Sequence, residues 1–525
     1  MKKLLSLFLM ISMLFSLAGC GSSGGDSGSS NGGSAGGEKG KTLVVAVNTE
    51  PVHFNTNAND AGGTLPSANI MSGLVQLTVT NAITPDLAKD WTISDDGLTY
   101  TFNLNENIKW HDGEAFTSKD VKWTLETILK EKGMNVERLS CIKEITCPDD
   151  NTVVLQLSEP NAALVSVLAI VDIMPARIYE GSDWLKNEAN QKPIGTGPFK
   201  FVEHKKGVSI TLEANKDYFK GAPKMDKIVY NIIPDENTAV QAYINGEVDV
   251  LDLCAAISPA AVPSLEKIDG TKVQTMISAD RQYMIANMTK EPWSNVKVRQ
   301  ALAYAVDRDE IVDKAHKGFA KKAEGFYTPS VEWAYTDKYK MPEKDIEKAK
   351  KLLDEAGYTP DANGVRIKGA EIVIFQFAVF SDIAKIVQAN LKEIGIETTI
   401  TTLEYAAWDE RLNRGEYDIA LIGGNHGPDP ESLSVRVGKD GALNHMHYDN
   451  PELDKLLKEG VLEADVEKRA EIYGNVQKIL SEDLPVLPLS EWCYIVVTDE
   501  NLTGHPIENQ EKAGAVDYFY VDFKK

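Results

Sequence analysis

The residues best suited to do chemistry cluster late in the chain: His426, His445 and His447 beside Asp429 and Arg436. Imidazoles in one region can ligate nickel or zinc. No pair has structural-zinc spacing, however, and polar surface histidines account for all three, so no metal is assigned to the protein itself. Arg436 can offer its planar fork to a ligand carboxylate, and Asp429 can hold an ammonium. Trp333, Tyr335 and Trp408 can stack on a ligand or fill a core. Two other stretches only look catalytic. His111-Asp112-Gly113 stands between a strand and a helix, where Asp-Gly makes a turn. Pro193-Ile194-Gly195-Thr196-Gly197-Pro198 is bounded by prolines and lacks the Lys-Ser/Thr and helix of a phosphate loop. There is no G-x-S-x-G, no HExxH and no Cys/His nucleophile pattern. The chain therefore reads as a binding protein with no cofactor, not as an enzyme. An exported hydrolase and a surface adhesin or signalling lipoprotein are the alternatives of another class.

The ends and the composition say where such a protein works. Lys2 and Lys3, the apolar run Leu4 to Ala18, and Leu17-Ala18-Gly19-Cys20 form an export signal with a small-residue cleavage site. The apolar stretch is shorter than the roughly 20 residues that cross a bilayer. It is similar to a bacterial lipobox, which makes residues 1–20 a signal peptide, Cys20 the lipidated residue and residues 21–40 a Gly/Ser tether. The 525-residue chain carries a formal charge of −23, which argues against nucleic acid or anionic lipid as partner, since both require clustered Lys/Arg. The remaining thiols, Cys141, Cys147, Cys254 and Cys493, permit disulfides in an exported protein without requiring them.

The body after the tether is long enough for two or three domains. Leu43-Val44-Val45-Ala46-Val47 is an apolar run suited to a doubly buried strand. Leu98, Tyr100, Phe102 and Leu104, then Val153, Leu155 and Leu157, alternate as half-buried antiparallel strands, with a helix capped by Ser118 between them. From Asn295 amphipathic helices dominate: one on Val298, Ala301, Leu302 and Ala305, one starting at Asp307, and others ending at Gly357 and Gly395. Apolar runs at 372–377, 396–400 and 418–422 alternate with them in the α/β manner. Asn450-Pro451 begins a further helix. The proline-punctuated stretch 484–489 ends the last one and leads to a strand near 494–497.

Eight segments then carry a resemblance. They are Leu87 to Val121 (LAKDWTISDDGLTYTFNLNENIKWHDGEAFTSKDV), Pro193 to Phe201 (PIGTGPFKF), Asn215 to Phe219, Asn245 to Val250 (NGEVDV), Val296 to Val312 (VKVRQALAYAVDRDEIV), Lys348 to Tyr358 (KAKKLLDEAGY), Tyr448 to Leu457 (YDNPELDKLL) and Ile479 to Leu489 (ILSEDLPVLPL). In this order they resemble the family 5 extracellular solute-binding proteins, the peptide and nickel receptors of ABC importers, over essentially the whole mature chain.

The resemblance implies an α/β, two-lobed, periplasmic-binding-protein-like fold of class II, with an extra subdomain in the first lobe and a ligand cleft between lobes. Lobe 1 is expected from 41–80, 193–280 and 488–525, its subdomain from 81–192, and lobe 2 from 281–487. The implied function is capture of an oligopeptide or dipeptide by lobe closure, as a monomer, and delivery to an ABC permease and its ATPase subunits; a nickel-chelator complex or another small polar solute is the alternative cargo. The implied ligand-binding residues are Asp60, Ala61, Gly62, Tyr405, Gly424, Asn425, His426 and Asp429, joined by Trp333, Trp408 and Arg436 from the residue reading. The family's Gly-Trp pair reads Gly423-Gly424 here. The aspartate that meets a peptide ammonium in relatives falls at Gly427, so Asp429 can replace it only if the loop is rearranged by two residues.

Overall fold

The computed structural model describes residues 40–58, 65–425 and 427–524. Its largest sheet is built around two long strands. Ten strands matter for the site: β1 (Thr42–Val47), β2 (Phe199–Lys205), β3 (Ser209–Ala214), β4 (Lys227–Ile232), β5 (Val250–Leu251), β6 (Thr271–Ala286), β7 (Ile367–Phe375), β8 (Ile396–Leu403), β9 (Ile419–Asn425) and β10 (Val486–Asp499). They lie in the order β8-β7-β9-β6-β10-β5-β1-β4-β3-β2. β1 runs parallel to β4 and β5 and is buried, as an apolar run between two neighbours must be.

β6 and β10 pair antiparallel from Thr271↔Asp499 to Ile285↔Val486. The end of β6 also carries β9, Asp280↔Asn425 to Ala286↔Ile419, and the end of β10 carries β5. These two strands therefore join both halves of the sheet. Their ladder is irregular between Ile277 and Arg281 and again between Gln282 and Tyr283, a bulge that bends paired strands. Pro488 sits at the second irregularity, opposite Tyr283, where a missing N–H is tolerated. This corrects the reading of 484–489 as a connector: the strand already begins at Val486.

Separate hydrophobic cores flank this seam. One is drawn from 283–489, one from 74–173, and one combines Leu43 to Met71, Met174 to Cys254 and Leu502 to Val521. The middle core lies under a four-stranded antiparallel sheet, Ala88–Ile93, Thr99–Leu104, Thr152–Leu157 and Ile142–Asp149, and the helix α1 (Ser118–Glu131). Thr117, not Ser118, caps α1, in a box with Asp120. Ser118 instead donates to the Asp149 carbonyl at 2.7 Å.

The two pseudo-catalytic stretches hold each other in place. His111 Nε2 donates to the Gly197 carbonyl at 3.0 Å and Nδ1 accepts from the Gly195 N–H at 3.2 Å. Burial pushes this imidazole down to about 4, so it is a neutral strut. A methyl group on Gly195 would stand 1.9 Å from the Ile70 carbonyl, which is why the loop needs glycine. Cys141, Cys147, Cys254 and Cys493 are all free thiols. No helix among the described residues is long and apolar enough to cross a membrane. Cys20, the signal segment and all of the tether except Gly40 lie outside them.

Candidate functional site

A cavity of about 330 Å³ opens where the two halves of the sheet meet. One wall comes from the tips of β7 and β9 and the helices after β7 and β8, α2 (Ala378–Glu393) and α3 (Tyr405–Asn413). It carries Phe375, Phe377, Phe380, Tyr405 and Trp408. Ligand sites in α/β sheets form outside the carboxyl ends of parallel strands, and β7, β8 and β9 all end here. The facing wall is aliphatic: Leu253, Ala256, Ile257 and Ile495. The floor is the irregular part of the seam, with Asp280, Arg281, Gln282, Trp492 and Tyr494.

The aromatic wall is one contact network. Phe377 stacks on Trp492 with centroids 5.5 Å apart, and Phe375 meets Tyr405 and Trp408 edge-on at 5.5 and 5.1 Å. Tyr405 remains 62% exposed, an aromatic face left to water at the cavity mouth. Two glycines finish the wall. A methyl on Gly423 would stand 3.2 Å from the Phe380 ring, and one on Gly424 2.1 Å from Arg436 Nη2. The strand tip is thus packed closely from both sides, by a ring and by a guanidinium.

The floor is polar but largely spoken for. Arg281 Nη2 pairs with Glu491 at 2.7 Å, both side chains being essentially inaccessible, and Arg281 Nη1 donates to the Gly325 carbonyl. Asp252 accepts from His505 and Tyr518. The Tyr494 hydroxyl donates to Asp280 Oδ2 at 2.9 Å, and Ser278 donates to the same oxygen. The other oxygen of Asp280 takes part in none of these bonds.

The structure brings Tyr405, Trp408 and Gly424 to this cavity, with Arg436 directly behind Gly424. It does not bring Asp429 there. Arg469 Nη2 reaches both Asp429 oxygens at 2.9 Å, and Asp429 also caps the turn Pro430–Leu433, so its carboxylate, expected to meet a ligand ammonium, is engaged within the chain. Trp333 lies under Arg469, whose Cζ stands 4.7 Å from the ring, and is packing in the same arrangement. Asp60, Ala61, Gly62 and His426, and the side chain of Asn425, lie outside the described residues. Sequence reading missed Phe375, Phe377, Phe380, Trp492, Tyr494 and Asp280. The signal was present in Phe-x-Phe-x-x-Phe at the carboxyl end of an apolar run and in Trp492 and Tyr494 sharing one face of a strand.

A family model described as bacterial extracellular solute-binding proteins, family 5, matches residues 82–442. The chain belongs to that family. The oligopeptide-binding protein AppA of Bacillus subtilis is 30% identical to this family 5 protein, over 96% of this chain and 97% of AppA. Among solved structures, the ABC transporter substrate-binding protein CtaP of Listeria monocytogenes superposes with a TM-score of 0.83 at 30% identity, covering 93% of this chain and all of CtaP. NikZ of Campylobacter jejuni in complex with Ni(L-His) superposes with a TM-score of 0.79 at 27% identity, covering 91% of this chain and 97% of NikZ. The fold is the two-lobed α/β fold of these proteins.

Proposed function

We propose that this protein is the substrate-binding lipoprotein of an ABC importer, exported, held to the cell membrane through Cys20, and non-catalytic. It captures a small solute in the cavity at the seam and hands it to a permease. The observation that carries this reading is the cavity itself: apolar walls from both sides of a two-strand crossing, with an exposed aromatic at the mouth. At about 330 Å³ it stands near the lower end of small-molecule sites, roughly 300–1,000 Å³, which favours a dipeptide-sized cargo over a long peptide. We assign lobe 1 to 41–80, 193–280 and 488–525, its subdomain to 81–192 and lobe 2 to 281–487; β6 and β10 cross between lobes at those boundaries.

The test is thermal unfolding and tryptophan fluorescence of the processed protein with di- to octapeptides, their N-acetylated forms, and nickel with and without histidine. A ligand at 100 times its Kd stabilises by about 2.7 kcal/mol, and Trp408 and Trp492 should report its arrival. Shifts with di- and tripeptides that fade with length support the reading. A shift with nickel and histidine alone replaces the cargo, and no shift with anything in the panel sinks the peptide reading.

A further inference from the structure

Three polar side chains at the Gly424 end of the cavity are buried, and among the described residues no hydrogen bond or ion pair engages the Arg436 guanidinium, Trp408 Nε1 or His445 Nδ1. Arg436 is 6% exposed, His445 5% and Trp408 4%. Trp408 Nε1 and His445 Nδ1 make no hydrogen bond. Arg436 forms none of the ion pairs or hydrogen bonds found among the described residues, whereas Arg281, Arg299, Arg308 and Arg469, similarly buried, are all held by acceptors. The three groups are neighbours: the Trp408 and His445 rings are 6.3 Å apart, Arg436 acts electrostatically on His445, and the Arg436 guanidinium lies across Gly424, which lines the cavity.

A buried donor left without an acceptor is costly, because it has given up water for nothing in return. Two such groups, Trp408 Nε1 and His445 Nδ1, beside a guanidinium that no acceptor among the described residues holds, are a seat waiting for an acceptor at the edge of a cavity. Resting on the receptor reading above, we propose that Arg436, the Trp408 indole N–H and His445 form an anion seat. It takes the carboxylate of the ligand, whose body lies along Phe375, Phe377 and Trp492. Burial pushes Arg436 below its ordinary value, with Tyr283 and Asp280 opposing from beyond ion-pair distance, so an incoming carboxylate meets a cation short of neutralisation. Gly424 is part of the device, because any side chain there would meet the guanidinium.

The test compares 3-phenylpropionate with 3-phenylpropionamide, equal in shape and different in charge, by thermal shift and calorimetry on the processed wild type, Arg436→Met and Gly424→Ala. The expected result is at least a ten-fold preference for the acid in the wild type, falling below two-fold in both variants, with the ligand-free melting temperature of Arg436→Met equal to or above that of the wild type. Acid and amide indistinguishable in the wild type, no binding of the acid, a preference that survives in either variant, or an Arg436→Met protein that melts well below the wild type each overturns the seat. If the acid fails while short peptides still shift the wild type, the seat falls and the receptor reading stands.

Discussion

Arg469 and Arg436 are both buried in the lobe that supplies the aromatic wall, yet their surroundings are opposite. Arg469 grips both oxygens of Asp429 and the Gly460 carbonyl. Burial works against its charge, but Asp429 more than compensates and holds it above its ordinary value. Arg436 has the burial without the carboxylate. The difference separates architecture from readiness: a cation whose partner is built into the chain fixes a loop, and a cation whose partner is missing is poised to accept one. A buried ion pair broken on one side is strongly destabilising, whereas removing an unpaired charge costs little.

That contrast predicts its own ranking. Asp429→Ala strands Arg469 and uncaps the turn that starts at Pro430, and should lower unfolding free energy by about 3–5 kcal/mol, read by urea denaturation. The same logic applies to carboxylates. Burial raises Asp172 to about 6, against a bond from the Thr56 hydroxyl and with the charge of Asp86 adding to it. The native state therefore keeps a proton that the unfolded chain releases near its ordinary 3.8. Its stabilising contribution is complete below that value and is lost as pH rises through about 6. Asp172→Asn should flatten this part of the stability profile by about 3 kcal/mol; an unchanged profile would show the group is paired after all. Arg436→Met should shift the ligand-free protein by no more than about 1 kcal/mol, upward, the reverse of Asp429→Ala in the same assay. Smallest is Arg138→Ala. Arg138 meets Glu431 across the two sides at 2.8 Å, partly exposed, beside a bond from the Ala162 N–H to the Val461 carbonyl. Losing the pair should weaken ligand binding by about 0.5–1 kcal/mol, two- to five-fold in Kd, without lowering the melting temperature of the ligand-free protein.

Much of this was legible in the residues. The apolar run at Leu43, the alternation from Tyr100 to Leu104, and the Asp307 and Asn450 caps are local signals, and each appears as an element. What escaped depends on distant pairing. Pro488 reads locally as a strand breaker, and only the irregular partner strand makes room for it. Asp429 and Arg436 are oppositely charged and stand seven residues apart in sequence; their different fates are set by Arg469, forty residues downstream of Asp429, which nothing in the local pattern announces. The aromatic wall was half visible, Tyr405 and Trp408 through the family pattern, but its Phe375 to Phe380 half resembles ordinary core until the strand ends are brought together.

The irregular ladder between β6 and β10 has a mechanical consequence. The ligand's floor, Asp280 to Gln282 with Trp492 and Tyr494, is the same backbone about which one half would turn against the other. A cargo seated there touches the fulcrum, not the rim. Small changes in strand twist at that point are magnified with distance along both arms, so a molecule of a few heavy atoms can be felt at the outer faces of the lobes, the surfaces a permease would touch.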